Sequence, residues 1–106
     1  MSPVRGEQTA SLPLSAPALS VHIPPALRRK TAGRGRVDAR GRTVREVLYD
    51  LERQFPGLLF ELCHETGEVR PYINLFLDNE NIKSLRGLDT SVGGAELYIL
   101  QSVAGG

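Results

Sequence analysis

The sequence contains little of what secreted, membrane-spanning or metal-binding proteins depend on. Its one cysteine, Cys63, cannot form an intrachain disulfide, which fits a reducing compartment. The first residues lack the apolar stretch of a signal peptide, and no apolar run approaches the roughly 20 residues that span a membrane. Two histidines, His22 and His64, give little basis for a metal site. We therefore expect a cytoplasmic protein with no membrane segment and no metal.

The charges are divided unevenly along the chain, although the net charge is only +1. Residues 1–50 carry nine Lys/Arg and four Asp/Glu, whereas residues 51–106 carry four and eight. This dipolar distribution differs from the clustered positive charge of a nucleic-acid-binding domain. The basic stretch from Arg28 to Arg36 also lacks the aromatic residues on which single-stranded bases stack. We interpret it as a solvated loop or a docking site for an acidic partner, and we expect no nucleic acid.

A length of 106 residues is enough for one compact domain and too short for two. Residues 1–18 mix Ser, Pro, Ala and Gly without periodicity, which predicts a disordered N-terminal tail. Residues 19–102 hold the periodic segments and form the predicted domain, and residues 103–106 form a flexible C-terminal tail.

The periodic segments predict an α+β protein. The predicted strands are Leu19–Ile23, Arg36–Arg40, Tyr72–Leu77, Ile82–Leu85 and Glu96–Gln101. The clearest helix begins at Thr43, where a capping box would pair the Thr43 hydroxyl with the Glu46 amide and the Glu46 carboxylate with the Thr43 amide. Pro56-Gly57 ends this helix, and a short extra turn follows. One amphipathic helix covers one face of a sheet, so the other face stays open to solvent or partners.

Cys63 and His64 are the only adjacent thiol and imidazole. Adjacent residues seldom point at each other, and no third orienting group is evident, so we expect a packed thiol and an exposed ring, not a catalytic pair.

Several stretches resemble a known family. The order of elements with a terminal Gly-Gly resembles the β-grasp, ubiquitin-like family, and within it the bacterial sulfur carriers: the small subunit of molybdopterin synthase, the thiamine-pathway carrier and the actinobacterial cysteine-biosynthesis carrier. The matching stretches are Tyr72–Ile82, Gly87–Thr90 and Val103–Gly106, and Ile23-Pro24, Leu27-Arg28 and Thr31-Ala32-Gly33 are most similar to the cysteine-pathway branch. Such carriers often have proline after the last strand, where this chain has Gln101-Ser102.

The resemblance implies a β-grasp fold, with a mixed sheet of four to five strands packed on one main helix. It also implies a sulfur-carrier protein that is not an enzyme. An E1-like adenylyltransferase/sulfurtransferase would join the carboxylate of Gly106 to AMP, and sulfur would then replace AMP to leave a thiocarboxylate. ATP and the sulfur donor are used by that partner, so this chain binds no cofactor. A sulfur-accepting biosynthetic enzyme would then receive the sulfur, for cysteine or a related thiolation pathway.

Two alternatives stay open. The chain could be a ubiquitin-like modifier joined through Gly106 to lysines on target proteins, or a non-catalytic protein-interaction domain with an inert tail.

The physical properties of the last residues fit a tail that enters another protein. Gly105 and Gly106 lack Cβ and reach backbone angles closed to other residues. Val103, Ala104 and the two glycines, fully extended, would reach roughly 13–14 Å at 3.3–3.6 Å per residue. The reactive carboxylate could therefore enter a narrow channel while the domain stays outside.

Period-two alternation divides the residues of two predicted strands between two faces. We assign the uniformly aliphatic set to the core: Leu75, Leu77, Leu97 and Ile99. Phe76, Tyr98 and Leu100 then share the open face beside the tail, and we name these three residues the docking patch. An exposed apolar patch usually marks a protein interface, which predicts partner docking here. In the alternative, the short turn after Gly57 folds over the patch and buries it.

Overall fold

A five-stranded mixed sheet lies at the centre of the computed structural model, which describes residues 16–102. The strands are β1 (Ala18–His22), β2 (Arg36–Arg40), β3 (Ile73–Leu77), β4 (Glu80–Asn81) and β5 (Leu97–Gln101). The helices are α1 (Val44–Gln54) and α2 (Leu58–Leu62), with 3₁₀ helices at Pro25–Lys30, Ile82–Ser84 and Gly87–Asp89. The α+β prediction is therefore confirmed.

The strands lie in the order β2-β1-β5-β3-β4, which places the last strand of the described chain in the middle of the sheet. β5 runs parallel to β1 and antiparallel to β3. β1 and β2 are antiparallel, as are β3 and β4. Because β1 and β5 point the same way, the chain leaves both of them at the same edge of the sheet. We name this edge the tail edge.

The core lies between one face of the sheet and α1. The predicted aliphatic set is buried, as expected: Leu75, Leu77, Leu97 and Ile99. The helix contributes a matching buried face: Val44, Val47, Leu48 and Leu51. α2 packs beside α1 and buries Leu58 and Leu62 in the same core. The short turn after Gly57 therefore lies on the helix side of the sheet, and the alternative in which it covers the docking patch is wrong.

The start of α1 is fixed by side-chain capping and by close backbone packing. The Thr43 hydroxyl accepts a hydrogen bond from the Glu46 amide at 3.2 Å, as the capping box predicts. The Glu46 carboxylate instead accepts from the amide of Arg42, at 2.8 Å, so the predicted reciprocal bond to Thr43 is wrong by one residue. A Cβ on Gly41 would lie 2.7 Å from the backbone nitrogen of Val47, so glycine is required where β2 turns into the helix.

The fourth strand is shorter and earlier than the sequence predicts. Asp78, at a φ of 52°, turns the chain tightly after β3, so Glu80 and Asn81 already pair with Leu77 and Phe76. The Asn81 side chain then accepts a hydrogen bond from the Lys83 amide at 2.9 Å, which starts the 3₁₀ helix Ile82–Ser84. The predicted strand Ile82–Leu85 is therefore wrong.

The ordered domain begins before residue 19. The Ala16 side chain is 1% exposed, its carbonyl accepts a hydrogen bond from Arg40 Nη1 at 2.7 Å, and β1 starts at Ala18. Residues 16–18 of the predicted tail thus belong to the described domain, and residues 1–15 lie outside the described residues.

This boundary leads to a first prediction. A chain that starts at Ser15 should keep the melting temperature of the full chain within about 2 °C, because Ala16 and its hydrogen bond remain. A chain that starts at Ala18 loses both, which costs about 1 kcal/mol and lowers the melting temperature by about 4–8 °C for a domain of this size. Thermal unfolding followed by circular dichroism checks the comparison. Equal melting temperatures for the two truncated chains would show that Ala16 contributes nothing.

Candidate functional site

The chain is bonded to β3 and to the residue before it at the point where it leaves the sheet. Gln101 pairs with Ile73, and the Ser102 amide donates to the Tyr72 carbonyl at 2.8 Å. Proline at position 102 could not make this bond, so the residue found here fixes the exit by a hydrogen bond. The Asn74 side chain also donates to the Ser102 hydroxyl at 3.4 Å. The predicted reactive tail starts directly after this point, and Val103, Ala104, Gly105 and Gly106 lie outside the described residues.

The three residues of the docking patch lie together on the open face. Phe76 is directly opposite Tyr98 across β3 and β5, and Leu100 is opposite Asn74, two pairs further toward the tail edge. Phe76 and Tyr98 are half-buried, whereas Leu100 is 47% exposed. The structure therefore brings the predicted patch together beside the exit of the tail.

A polar cluster that the sequence analysis did not find borders this patch. The His22 ring stacks on Tyr98 with their centroids 4.1 Å apart, and His22 Nε2 lies 2.6 Å from Glu96 Oε1. The hydrogen bond with His22 lowers the pKa of the Glu96 carboxyl, whereas burial and the nearby Glu96 charge raise the pKa of Tyr98. Alternation placed His22 on the polar side of its strand, but its partners lie about 75 residues away in sequence and carry no local signal.

On the helix side, a groove of about 340 Å³ runs between α1 and α2. Cys63 lies at its base and is 6% exposed, and burial raises the pKa of its thiol, which keeps it protonated. His64 is exposed, and its Nδ1 lies 3.4 Å from Arg70 Nη1. Within residues 16–102, Cys63 therefore packs in the core while His64 faces solvent, as expected for a pair without a catalytic role.

Between residues 16 and 102, no three His, Cys, Asp or Glu side chains gather into a group that could hold a metal ion. No helix in the same range is long and apolar enough to cross a membrane.

The fold and the exit of the tail together define a class of protein. The central strand of the mixed sheet leads into the tail, and one main helix packs on one face of the sheet. This is the ubiquitin-like β-grasp arrangement. Comparison with known proteins narrows this class: the model of the ThiS family matches residues 21–106, and the chain belongs to this family.

Two of the similar proteins bear the name CysO. The chain is 33% identical over 91 residues to the sulfur carrier protein CysO of Mycobacterium tuberculosis, which covers 83% of this chain and 98% of that protein. It superimposes with a TM-score of 0.77 on a chain of the Amycolatopsis orientalis BexX/CysO complex, at 36% identity and covering 83% and 99% of the two chains. The predicted sulfur-carrier family is confirmed, and these relatives are carriers and not catalysts.

A protein named as a modifier is also among the similar structures. The small archaeal modifier protein 1 of Methanosarcina acetivorans superimposes with a TM-score of 0.73 at 28% identity, covering 86% of this chain and 98% of that one. The fold is therefore shared by proteins named as carriers and by proteins named as modifiers.

Proposed function

We propose that this chain carries sulfur as a thiocarboxylate at Gly106, for cysteine biosynthesis or a related thiolation pathway. The observation that carries the proposal is the reach of the family match, which extends from residue 21 through the Gly-Gly at residue 106. The sheet supports it, because β5 leads directly into the tail and Ser102 is bonded to Tyr72 at the exit.

The chemistry needs no catalytic group from this chain. A carboxylate is a poor acyl donor, so an E1-like enzyme first attaches it to the α-phosphorus of ATP, and pyrophosphate leaves. A sulfur donor of the hydrosulfide class then attacks the acyl carbon, AMP leaves, and a thiocarboxylate remains at Gly106. After transfer of the sulfur to a biosynthetic substrate, hydrolysis restores the carboxylate of Gly106. The domain supplies the docking surface and the exit, and its partners supply the catalytic groups.

The modifier alternative has support of its own in the likeness to archaeal modifier proteins. In that alternative the same adenylated Gly106 passes to a lysine amine on a target protein. The third alternative, an interaction domain, needs no reaction at Gly106.

Mass spectrometry of the intact protein purified from its native host tests the proposal. The carrier is expected to show the mass gain of one sulfur atom replacing one oxygen atom. Alkylation of the thiocarboxylate, followed by hydrolysis of the resulting thioester, should remove this mass gain. Lysine-linked adducts without that species would favour the modifier instead. An unmodified protein under sulfur starvation and sulfur excess alike would contradict both and leave the interaction domain.

The docking patch is the surface that we propose meets the activating enzyme. Phe76→Asp should weaken binding to that enzyme at least tenfold, about 1.4 kcal/mol, because it places a charge in the middle of an apolar contact. Phe60→Asp is the matched control, since Phe60 is 63% exposed on α2 across the core from the patch. Isothermal titration measures both affinities. Equal affinities for the two folded variants would show that the patch is not the docking site, and an unfolded Phe76→Asp chain would contradict the face assignment.

A further inference from the structure

The segment between β1 and β2 concentrates positive charge at the tail edge. Residues 23–36, which we name the basic segment, contain five Lys/Arg and no Asp or Glu: Arg28, Arg29, Lys30, Arg34 and Arg36. β1 ends where this segment begins, and β1 runs parallel to β5, so the segment and the tail leave the sheet at the same edge. The segment therefore begins at the end of the sheet from which the tail leaves, and one of its cations, Arg29, forms an ion pair with Glu61 of α2 at 3.4 Å.

The basic segment is built into the domain, in contrast to a solvated loop. Its first half is the 3₁₀ helix Pro25–Lys30, anchored by Leu27, which is buried in the core. The Thr31 side chain is fully buried, and its hydroxyl donates to the Arg34 carbonyl at 2.8 Å. Ala32 and Gly33, at φ values of 56° and 82°, carry the chain through a left-handed turn. The charged side chains thus start from fixed backbone positions.

Arg28 is held in place by two further contacts. Its Nε donates to the Ile23 carbonyl at 3.1 Å. A Cβ on Gly35 would lie 2.9 Å from the Arg28 Cζ, so the guanidinium packs directly against Gly35. An ordered guanidinium loses less entropy when it binds a carboxylate than a mobile one does.

The chemistry of the segment favours carboxylates spread over a protein surface. The turn amides are used within the segment, since Gly33 N donates to the Arg28 carbonyl at 2.8 Å and Arg34 N to the Thr31 carbonyl at 2.9 Å. They therefore form no nest for a single phosphate. The segment has no aromatic residue for stacking on bases. Arg34 and Arg36 are exposed, and within residues 16–102 Arg34 makes no ion pair.

We propose that the basic segment docks on an acidic protein surface beside the channel by which the activating enzyme admits the tail, an inference that rests on the proposed function. Complementary charge at this edge orients the carrier during encounter and presents the tail to the channel. Charge complementarity of this kind acts mainly on the association rate and weakens as salt rises.

The test compares two double variants that each remove two positive charges. Arg34→Gln with Arg36→Gln removes two of the five positive charges of the basic segment and spares Arg28. Lys83→Gln with Arg86→Gln is the control, because these exposed residues follow β4, the edge strand on the side of the sheet away from β2. We expect the segment variant to lower kcat/KM for adenylation about tenfold at about 0.05 M salt, with kcat unchanged and the difference lost near about 1 M salt. The control should change kcat/KM less than about twofold.

The other outcomes distinguish a failure of the docking inference from a failure of the proposed function. If the segment variant is adenylated with the kcat/KM of the wild type at low salt, the docking inference is overturned while the proposed function stands. If the wild type is not adenylated at all, the proposed function fails and the docking inference fails with it. The wild type and the control could also bind a labelled single-stranded RNA oligonucleotide that the segment variant does not bind. If the kcat/KM of the segment variant is also unchanged, the segment is assigned to nucleic acid and the proposal is overturned.

Discussion

A chain that lacks Gly106 is expected to lose ATP-dependent adenylation by at least about 100-fold, because an acyl group displaced by a full residue no longer meets the α-phosphorus in the enzyme. A chain with Ala added after Gly106 should lose as much, since the carboxylate is displaced in the other direction and Cβ enters the channel. Release of pyrophosphate with purified activating enzyme measures both. The thiocarboxylate mass should disappear in parallel.

The fold supplies the control for this experiment. The last strand ends at Gln101 and the core includes no residue beyond it among those described, so both variants should melt with the wild type. A Gly106-deleted chain that still forms a thiocarboxylate at the normal rate would contradict the carrier mechanism while leaving the family assignment intact.

The largest effect on stability is expected at Asp50. Its side chain is 2% exposed on α1, and its carboxylate accepts from the Arg40 amide at 2.9 Å, from Gln54 at 3.0 Å and from Arg53 at 2.6 Å. Asp50→Ala leaves the Arg40 amide without its acceptor and should cost about 3 kcal/mol. At about 4 °C or more per kcal/mol, the melting temperature should fall by at least about 12 °C. Asp38→Ala, on the exposed side of β2, is the control and should change stability by less than about 0.5 kcal/mol.

Asp50 also makes stability depend on pH in a defined direction. Burial by itself would raise the pKa of Asp50, but the hydrogen bonds from Arg53, the Arg40 amide and Gln54 outweigh it and lower that pKa. A lowered folded-state pKa means that the stabilisation is present above the unfolded pKa of about 3.9 and is lost as the pH falls through the folded value. In urea unfolding, the stability difference between wild type and Asp50→Asn should therefore shrink on acidification below about pH 4. A difference that stays constant would show that the charge of Asp50 contributes nothing.

The sequence predicted the features that local periodicity determines. Alternation located β2 at its true bounds and β1, β3 and β5 within a residue of theirs, because one face of each strand is buried and the other is not. Thr43 marked the start of α1 because capping depends only on neighbouring residues. The same alternation separated Leu75 and Ile99 from Phe76 and Tyr98 correctly.

The features that the sequence did not predict depend on distant contacts or on single backbone angles. The predicted position of β4 was too late in the sequence, because the tight turn needs a positive φ at Asp78 and aspartate adopts a positive φ only occasionally. The contact of His22 with Glu96 exists only because β1 and β5 pair in parallel. In the sequence, Asp50 is one more acidic residue of an amphipathic helix. Its burial depends on a contact between two elements, because its carboxylate accepts a hydrogen bond from the amide of Arg40 at the end of β2. The fixed conformation of the basic segment depends likewise on the burial of Leu27 and Thr31.

The central position of β5 also determines how the domain responds to mechanical force. A partner that draws on the chain beyond Ser102 pulls β5 along its own axis, and the hydrogen bonds to β1 and to β3 resist together in shear. An edge strand such as β4 would instead peel away one bond at a time, because it is bonded on a single side. The load from the tail therefore falls on the strand that is bonded on both sides, and an enzyme can hold the tail under tension while the core stays closed.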